Sequence, residues 1–230
     1  MKIIGFEKLT LVDYPEKVAT ILFTGGCNMR CPYCHNGELV LHPDFFPPFS
    51  DDEIFSYLKK RKGVLDAVVI SGGEPTLQSG LKEYVKKIKD TGLLVKLDTN
   101  GTRPDVVEDL VSSSLLDYVA MDVKNSLESY AMTCGVEDFD TSSVEETISF
   151  LKEGRVAYEF RTTVTRETHS EKNFISLASL LEGAEAYYLQ NFVPNENTIV
   201  KGFSPMSYEE LNNYMGILRK TIGNVQLRNI

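Results

Sequence analysis

A chain of 230 residues, of which 42% are hydrophobic and 25% charged, is long enough to bury a core as one α/β domain of barrel type or as two small domains. The formal net charge of −9 disfavours a protein whose main ligand is nucleic acid. No apolar run approaches the roughly 18 residues of a membrane span, and the N-terminus lacks the apolar core of a signal peptide. We therefore expect a cytoplasmic protein with neither a nucleic-acid partner nor a membrane partner.

The chain begins with a segment, 1–17, that we expect to form a short hairpin or an extended lead-in, with apolar parts at 2–6 and 9–12. The first core strand is predicted over 18–24, because the run is apolar almost throughout, as in a strand covered on both faces. Similar patterns predict five further strands, over 67–71, 93–98, 118–122, 156–164 and 186–192. Apolar residues at helical spacing predict intervening helices over 51–61, 77–89, 104–113, 142–152, 173–181 and 208–220, with a less regular piece at 125–140.

Strands that alternate with helices predict a parallel sheet with right-handed crossovers. Six βα units are fewer than the eight of a closed barrel, so we predict an α/β fold with a partial (βα)6 barrel, and a flat, doubly wound sheet is the alternative. The pattern shows no domain boundary. We therefore predict a single domain over 1–230, made of the lead-in (1–17), the core (18–192) and a C-terminal helix and tail (193–230), in which 225–228 could add a short strand.

Short polar motifs follow the predicted strands at their C-terminal ends. Because the C-terminal ends of parallel strands meet at one mouth, we expect these groups to surround a single site. In chain order they are the cysteine loop at 27–34, Gly72-Gly73-Glu74-Pro75, Asp98-Thr99-Asn100-Gly101, Asp122-Val123-Lys124, Arg161 and Gln190.

Three of the four cysteines, Cys27, Cys31 and Cys34, follow the first strand at the spacing C-x3-C-x2-C. Thiolates on one tight loop suit a soft metal or an iron–sulfur cluster, and this set leaves one coordination position without a cysteine. A zinc site completed by His35 or a distant residue is one alternative, although zinc sites usually carry paired C-x2-C units. A cluster that also uses Cys134 is another, but we expect Cys134 to be a buried small side chain or an incidental thiol.

The spacing C-x3-C-x-aromatic-C, with Tyr33 as the aromatic residue, resembles the signature of the radical S-adenosylmethionine (SAM) superfamily, and so does Gly72-Gly73-Glu74-Pro75 after the second strand. The resemblance implies a radical SAM barrel in which Cys27, Cys31 and Cys34 hold a [4Fe-4S] cluster and SAM binds the fourth iron. It also implies that an electron entering the sulfonium releases methionine and a 5′-deoxyadenosyl radical, which abstracts hydrogen from a substrate.

The resemblance also assigns roles to the other strand ends. Lys124 and Arg161 would act as catalytic residues that pair with the methionine carboxylate or with a substrate carbonyl. A monovalent cation could lie beside the SAM carboxylate, and its oxygen ligands would come from Asp98, Thr99, Asp122 and the Ala120 carbonyl. Cofactor-binding roles are implied for Tyr33, Gly72, Gly73, Glu74, Pro75, Asp98, Thr99, Asn100, Asp122 and Gln190.

Each of these assignments has a simpler alternative that involves no cofactor. The Gly-Gly-Glu-Pro segment could be a strand-to-helix turn with proline at the first helical position. Tyr33 could serve only to pack the cysteine loop, and Arg161 could form a salt bridge across the mouth of the sheet.

The segments at 34–36, 98–101 and 122–124 resemble those of enzymes that activate glycyl-radical enzymes, most of all the anaerobic ribonucleoside-triphosphate reductase activating proteins. This resemblance implies a glycyl-radical enzyme as the partner, for which we expect anaerobic ribonucleoside-triphosphate reductase, and a flavodoxin- or ferredoxin-type electron donor. Asp13-Tyr14-Pro15-Glu16-Lys17 departs from the Asp-Gly-Pro-Gly-x-Arg segment of pyruvate formate-lyase-type activases, which leaves the identity of the partner open.

Two other functions are compatible with the sequence. One is radical SAM chemistry on a small molecule, as in the 7-carboxy-7-deazaguanine synthases, with a heterocycle enclosed by the polar groups of Asn191, Asn195, Glu196 and Asn197. The other is a non-enzymatic binding module that zinc or a cluster stabilises.

Overall fold

The computed structural model describes residues 1–228, and its strands form one sheet of eight. Their order in the sheet is their order in the chain. The first strand runs antiparallel to the second, and every later pair of neighbours is parallel. The strands are β1 (Ile3–Thr10), β2 (Ala19–Thr24), β3 (Ala67–Gly72), β4 (Leu94–Thr99), β5 (Tyr118–Asp122), β6 (Ala157–Val164), β7 (Ala186–Asn191) and β8 (Asn224–Arg228).

Helices connect the parallel strands, and several begin at a side-chain cap. Ser50 accepts a hydrogen bond from the Glu53 N–H, and Ser207 and Glu210 form a reciprocal capping box at the last helix. Short 3-10 turns lie at Pro43–Phe45, Pro75–Leu77 and Leu127–Ser129. The α-helices are α1 (Gly37–Leu41), α2 (Asp51–Lys60), α3 (Leu81–Lys89), α4 (Pro104–Ser112), α5 (Tyr130–Cys134), α6 (Ser142–Lys152), α7 (Glu171–Leu180) and α8 (Tyr208–Leu218).

The strand order decides between the two predicted architectures. A doubly wound sheet needs a point at which the strand order reverses, and this order runs from β1 to β8 without reversal. Right-handed crossovers that all step in one direction place the helices on one face of the sheet, which curls around the other face. Tyr14, just before β2, lies 5.5 Å from the ring of Tyr118 on β5. The predicted partial barrel is therefore confirmed.

The two faces of the sheet carry different side chains. Outward residues such as Leu22, Ile70 and Leu97 belong to the main core beneath the helices. The inner face begins with a small apolar cluster at the N-terminal ends of the strands, formed by Tyr14, Ala19, Ile21, Ala67 and Val69. Toward the C-terminal ends of the strands the inner face carries charged side chains. The interior of the barrel therefore has an apolar end and a polar end.

A buried ion pair joins the last strand to this interior. The Arg228 guanidinium donates to both carboxylate oxygens of Glu159 on β6, at 2.7 and 2.9 Å, and the Tyr118 hydroxyl donates to the same carboxylate at 3.0 Å. Because β8 pairs in parallel with β7, the C-terminal segment extends the predicted six-strand core by one further parallel strand.

Some predicted element boundaries were wrong. Of the two alternatives for residues 1–17, the extended lead-in is present as the strand Ile3–Thr10, whose partner is β2, and the hairpin within this segment is not. The third helix begins at Leu81 and not at 77, because Gln78 is extended and its side chain donates to the Gly25 carbonyl at 2.9 Å. The less regular piece at 125–140 contains α5. None of the helices within residues 1–228 is both long and apolar enough to cross a membrane.

Candidate active site

The C-terminal ends of the strands surround a cavity of about 390 Å³. Residues from seven successive segments of the chain reach it, as expected for parallel strands that end at one mouth. Pro75, which was predicted to bind the cofactor, does not line the cavity and instead begins the 3-10 turn after Glu74. The other predicted site residues line it: Cys27, Cys31, Tyr33, Cys34, Gly72, Gly73, Glu74, Asp98, Thr99, Asn100, Asp122, Lys124, Arg161 and Gln190.

The cysteine loop is held by backbone hydrogen bonds on both sides. The Gly26 N–H donates to the Leu39 carbonyl at 2.9 Å, and the Arg30 N–H donates to the Cys134 carbonyl at 2.8 Å. The second contact places the end of α5 against the loop. The loop therefore presents its thiols from a fixed backbone, with Cys31 buried and the other two half-buried.

Burial raises the pKa of all three thiols, and it raises the pKa of Cys31 to about 12. The Met29 N–H, 3.4 Å from the Cys27 sulfur, and the positive charge of Lys124 act in the opposite direction. Thiols of this kind are protonated at neutral pH and become good ligands when a metal displaces their protons.

The arrangement of the thiols is compatible with a cluster. Within residues 1–228, no three His, Cys, Asp or Glu side chains converge on a point where one metal ion could sit. Tetrahedral zinc with bonds of about 2.3 Å would need such convergence. Three thiols that line one cavity suit a cluster in which each sulfur would bind a different iron.

The two proposed fourth ligands differ in position. Cys134 is fully buried, does not line the cavity, and its thiol donates to the Ala131 carbonyl at 3.5 Å, as expected for a small packed side chain. His35 lines the cavity, and its ring packs 5.3 Å from Phe192. Burial lowers the His35 pKa, so the ring is neutral at pH 7.

The glycines of the Gly-Gly-Glu-Pro segment pack against the start of the cysteine loop. A Cβ atom on Gly73 would lie 1.8 Å from the Gly26 carbonyl oxygen, and one on Gly72 would lie 2.3 Å from the Thr24 carbonyl oxygen. Backbone hydrogen bonds of 2.9 Å join Gly73 N to Thr24 O and Glu74 N to Gly26 O. Contact between two protein backbones thus requires glycine here, independently of any ligand.

Glu74 joins the ends of β3 and β4. One carboxylate oxygen accepts from the Thr76 N–H and hydroxyl and from the Thr99 hydroxyl at 2.8 Å, and the other accepts from the Asn100 N–H at 2.7 Å. Burial raises the pKa of Glu74, whereas these hydrogen bonds lower it. Glu74 therefore links the ends of β3 and β4 by hydrogen bonds and also lines the cavity.

Asn100 directs its amide group at the cysteine loop. Its oxygen accepts from the Thr102 N–H at 3.1 Å, which fixes the orientation of the amide. The amide nitrogen then lies 3.7 Å from the Cys27 sulfur and 2.9 Å from the Asn28 side-chain oxygen. The contact with Cys27 brings a hydrogen-bond donor from β4 to one of the three sulfurs.

Five charged side chains, of which Lys96 is buried and the others are half-buried, form a chain across the mouth. Asp122 accepts from Arg161 Nε at 2.8 Å and from Lys124 Nζ at 3.1 Å. Asp98 accepts from Lys96 Nζ at 2.7 Å and lies 3.5 Å from Arg161 Nη1. Burial alone would raise the pKa of Asp122, but Arg161 and Lys124 outweigh it and lower the pKa to about 2. Each member of this chain contacts at least one member of opposite charge.

The oxygen ligands predicted for a monovalent cation do not fit this arrangement. Asp98 and Asp122 already have protein cations as partners. The Thr99 hydroxyl donates to Glu74 and accepts from the Gly101 N–H at 3.1 Å. The salt bridge predicted as the simpler alternative for Arg161 is present.

Sequence reasoning missed two residues that shape the site. Lys96 lies in the apolar run that predicts a strand over 93–98, and its position two residues before Asp98 places both side chains on the same face of that strand. His169 accepts from the Thr165 N–H through Nδ1, so Nε2 carries the proton and donates to the Lys124 carbonyl at 3.0 Å. Burial lowers the His169 pKa to about 4, and the neutral ring fixes the backbone of Lys124.

Comparison with known proteins identifies similar sequences and folds. The sequence profile of the Radical SAM superfamily matches residues 21–178. A Methanocaldococcus jannaschii protein named as a glycyl-radical enzyme activating enzyme is 34% identical over 232 residues, 98% of this chain and 95% of the relative. A 7-carboxy-7-deazaguanine synthase of Thermococcus kodakarensis is 29% identical over 217 residues, 86% of this chain and 82% of the relative.

Solved structures share the fold. The crystal structure of Streptococcus suis SuiB matches with a TM-score of 0.69 at 14% sequence identity, over 92% of this chain and 49% of SuiB. This chain therefore spans about half the length of SuiB, and at that identity the likeness concerns the partial barrel alone.

Proposed function

The chain belongs to the radical SAM superfamily, and we propose that it activates a glycyl-radical enzyme by removing a hydrogen atom from the Cα of a glycine in that partner. The observation that carries the proposal is the similarity to the Methanocaldococcus jannaschii activating enzyme along nearly the full length of both chains. The cavity supports it, because three thiols and the charged strand ends share one space at the mouth of the barrel.

Cys27, Cys31 and Cys34 would hold the [4Fe-4S] cluster of this superfamily, with one iron left for SAM. When bound, the cluster supplies the electron that cleaves SAM into methionine and a 5′-deoxyadenosyl radical. The chain contributes a loop whose backbone is fixed by α5 and by the segment after the cysteines, so the thiols need little rearrangement to bind iron.

Lys124 and Arg161 are assigned to the carboxylate of SAM or to a substrate carbonyl. Asp122 fixes one donor of each, and Asp98 lies 3.5 Å from Arg161 Nη1; the remaining N–H groups of Lys124 and Arg161 are available to a ligand in the cavity. Tyr33 and Gln190, which line the cavity, are assigned to the nucleoside. Backbone groups of Gly72 and Gly73 are assigned to the methionine part of SAM.

The remaining end of the cavity is assigned to the substrate. Glu7 on β1 and Asp13 in the β1–β2 connection line it, together with Ile21 and Phe23. Because β1 and β8 are the two edges of the sheet, the curled sheet leaves a side through which a loop of a protein partner could enter. Ordering such a loop costs conformational entropy, which a wider interface between the two proteins must offset.

Anaerobic ribonucleoside-triphosphate reductase is our choice of partner, and a flavodoxin- or ferredoxin-type protein is our choice of electron donor. These choices rest on the resemblance of the strand-end motifs. The four free cysteines agree with a reducing compartment, so a cytoplasmic location remains part of the proposal.

A small-molecule substrate is the second candidate, and similarity to 7-carboxy-7-deazaguanine synthase favours it. The polar groups suggested for a heterocycle do not support it, since none of them lines the cavity. The Asn191 side-chain nitrogen donates to the Met206 carbonyl, and its side-chain oxygen accepts from the Met206 N–H, at 3.0 Å each. Asn195, Glu196 and Asn197 are exposed.

The proposed function is tested by radical transfer to the partner. Reduced, cluster-loaded protein is mixed anaerobically with SAM and anaerobic ribonucleoside-triphosphate reductase, and EPR spectra are recorded. We expect a glycyl radical signal that requires SAM and is lost when the partner's radical-forming glycine is replaced by alanine. Cleavage of SAM without a glycyl radical on this reductase or on other glycyl-radical enzymes, combined with turnover of a deazapurine precursor, would establish the second candidate instead.

Asn100→Leu is expected to make the reduction potential of the cluster more negative. A hydrogen bond to a cluster sulfur favours the reduced, more negative state, so its loss disfavours reduction. A differential hydrogen-bond energy of about 1 kcal/mol corresponds to a shift of about 40 mV for one electron. Potentiometric titration followed by EPR measures the shift. Asn36→Leu is the control, because the Asn36 side chain donates to the Gly72 carbonyl and not to a sulfur, while its backbone N–H contact with Cys34 is retained. Equal shifts in both variants would show that the Asn100 contact has no special effect.

A further inference from the structure

Lys96 is a buried lysine at the centre of the barrel. Its side chain is only 1% exposed, and it extends from the inner face of β4, opposite Tyr118 on β5. The ammonium donates to Asp98 at 2.7 Å and lies 6.0 Å from the centre of the Tyr118 ring. A lysine is retained in such a position only where a partner compensates for its desolvation, and Asp98 is that partner.

The charges around Lys96 leave no need for a dissociable ion. Lys96, Lys124 and Arg161 provide three positive charges, whereas Asp98 and Asp122 provide two negative charges. A free cation placed between these carboxylates would displace an existing ion pair and would be repelled by the ammonium of Lys96. These five groups together carry one net positive charge, which suits an anionic group bound next to them, such as the carboxylate of SAM, although Glu7, Asp13 and Glu74 also line the cavity.

The resemblance of the strand ends implies a monovalent cation at Asp98, Thr99 and Asp122, and the structure disagrees with that implication. We propose that Lys96 is a built-in cation that replaces this ion, so that the protein binds SAM equally well with or without Na⁺ or K⁺. Lys96 acts as a positioning residue: it neutralises Asp98 and holds its carboxylate in place beside Arg161. The proposal rests on SAM binding and not on the identity of the partner enzyme.

The first test needs only the native chain. The dissociation constant of SAM is measured for anaerobically reconstituted protein in NaCl, KCl and choline chloride at equal ionic strength. We expect the three values to agree within about twofold. SAM binding that weakens tenfold or more when choline replaces Na⁺ and K⁺ would overturn the proposal, because the site would then require a dissociable cation.

The second test asks whether a free ion can replace the ammonium. In Lys96→Ala, where space for an ion is created, we expect SAM affinity to fall at least tenfold in choline chloride and to recover in NaCl, KCl or ethylammonium chloride. Lys96→Met fills that space with an uncharged chain and should lose affinity without recovery. Lys82→Met is the matched control, since Lys82 pairs with Asp109 on the outer surface at 2.6 Å; it should behave as the native chain does.

Some variants could bind the cluster incompletely, so a third measurement uses the metal-free protein. The thermal unfolding of metal-free Lys96→Ala is expected to shift upward when Na⁺ or K⁺ replaces choline, whereas that of the native chain should not respond. Equal unfolding temperatures of Lys96→Ala in all three salts, or unchanged SAM affinity in Lys96→Met, would contradict a role for the Lys96 charge.

Discussion

Replacement of Cys27, Cys31 or Cys34 by serine is expected to abolish SAM cleavage and to leave the protein unable to retain a complete cluster. Each thiol comes from a separate position on one rigid loop, and among the described residues no additional cysteine lines the cavity to substitute for a lost one. A hydroxyl is a poor ligand for iron in such a cluster. After anaerobic reconstitution, iron analysis should give about four iron atoms per native chain and far fewer for each variant.

Cys134→Ser provides the matched control for these variants. The Cys134 thiol is buried beneath the cysteine loop and bonded to its own helix, so its replacement should change stability slightly while iron content and SAM cleavage persist. A Cys134 variant that loses the cluster, together with a Cys34 variant that keeps it, would show that the ligand set has been assigned incorrectly.

Gly73→Ala is expected to destabilise the chain by about 3 kcal/mol or more, which lies at the upper end for overpacking of a rigid interior. The new Cβ would overlap the Gly26 carbonyl oxygen at 1.8 Å. Neither backbone can withdraw easily, because the Glu74 N–H donates to that same oxygen and the Gly73 N–H donates to Thr24. Urea unfolding of the metal-free protein measures the loss, and reconstitution should show a displaced cysteine loop as poor retention of iron.

Gly216→Ala makes the same chemical change at a position without steric conflict. Gly216 lies inside α8, and a Cβ there would meet no atom within 4 Å. Alanine is the better helix former, so we expect this variant to gain up to about 1 kcal/mol. Equal stabilities for the Gly73 and Gly216 variants would contradict the close backbone contact at Gly73.

The sheet and the position of the site could be predicted from the sequence because their signals are local. The apolar runs at 67–71 and 118–122 are typical of buried parallel strands, and polar motifs directly follow them. Parallel topology then places those motifs at one mouth without any knowledge of distant contacts. The cysteine spacing is an equally local signal.

The features that sequence reasoning missed depend on contacts between distant segments. The role of Gly73 is set by the backbone of Gly26, which lies on another strand end. Lys96 is embedded in an otherwise apolar run, and its spacing from Asp98 places both on one face; the sequence does not show that this face is the inside of a curled sheet, where Lys96 is buried against Asp98. His169 belongs to a connection with no recognisable motif, and its bond to the Lys124 carbonyl appears only in three dimensions.

The proposed replacement of the cation by Lys96 shows what transfer of a motif leaves open. The acidic residues and the threonine stand where the resemblance requires them, but an adjacent lysine changes the charge balance of the whole group. A motif specifies which side chains are present, whereas their ionic partners come both from neighbours on the same strand, as Lys96 does for Asp98, and from another strand, as Arg161 does.

The central claim is that three neighbouring thiols bind a cluster with one iron open to SAM, and EPR of the reconstituted, reduced protein with and without SAM tests it most directly. We expect the signal of a reduced [4Fe-4S] cluster that changes when SAM is added, because SAM would bind the iron that no cysteine holds. A signal unaltered by saturating SAM, or stoichiometric zinc in protein prepared without oxygen, would contradict the claim.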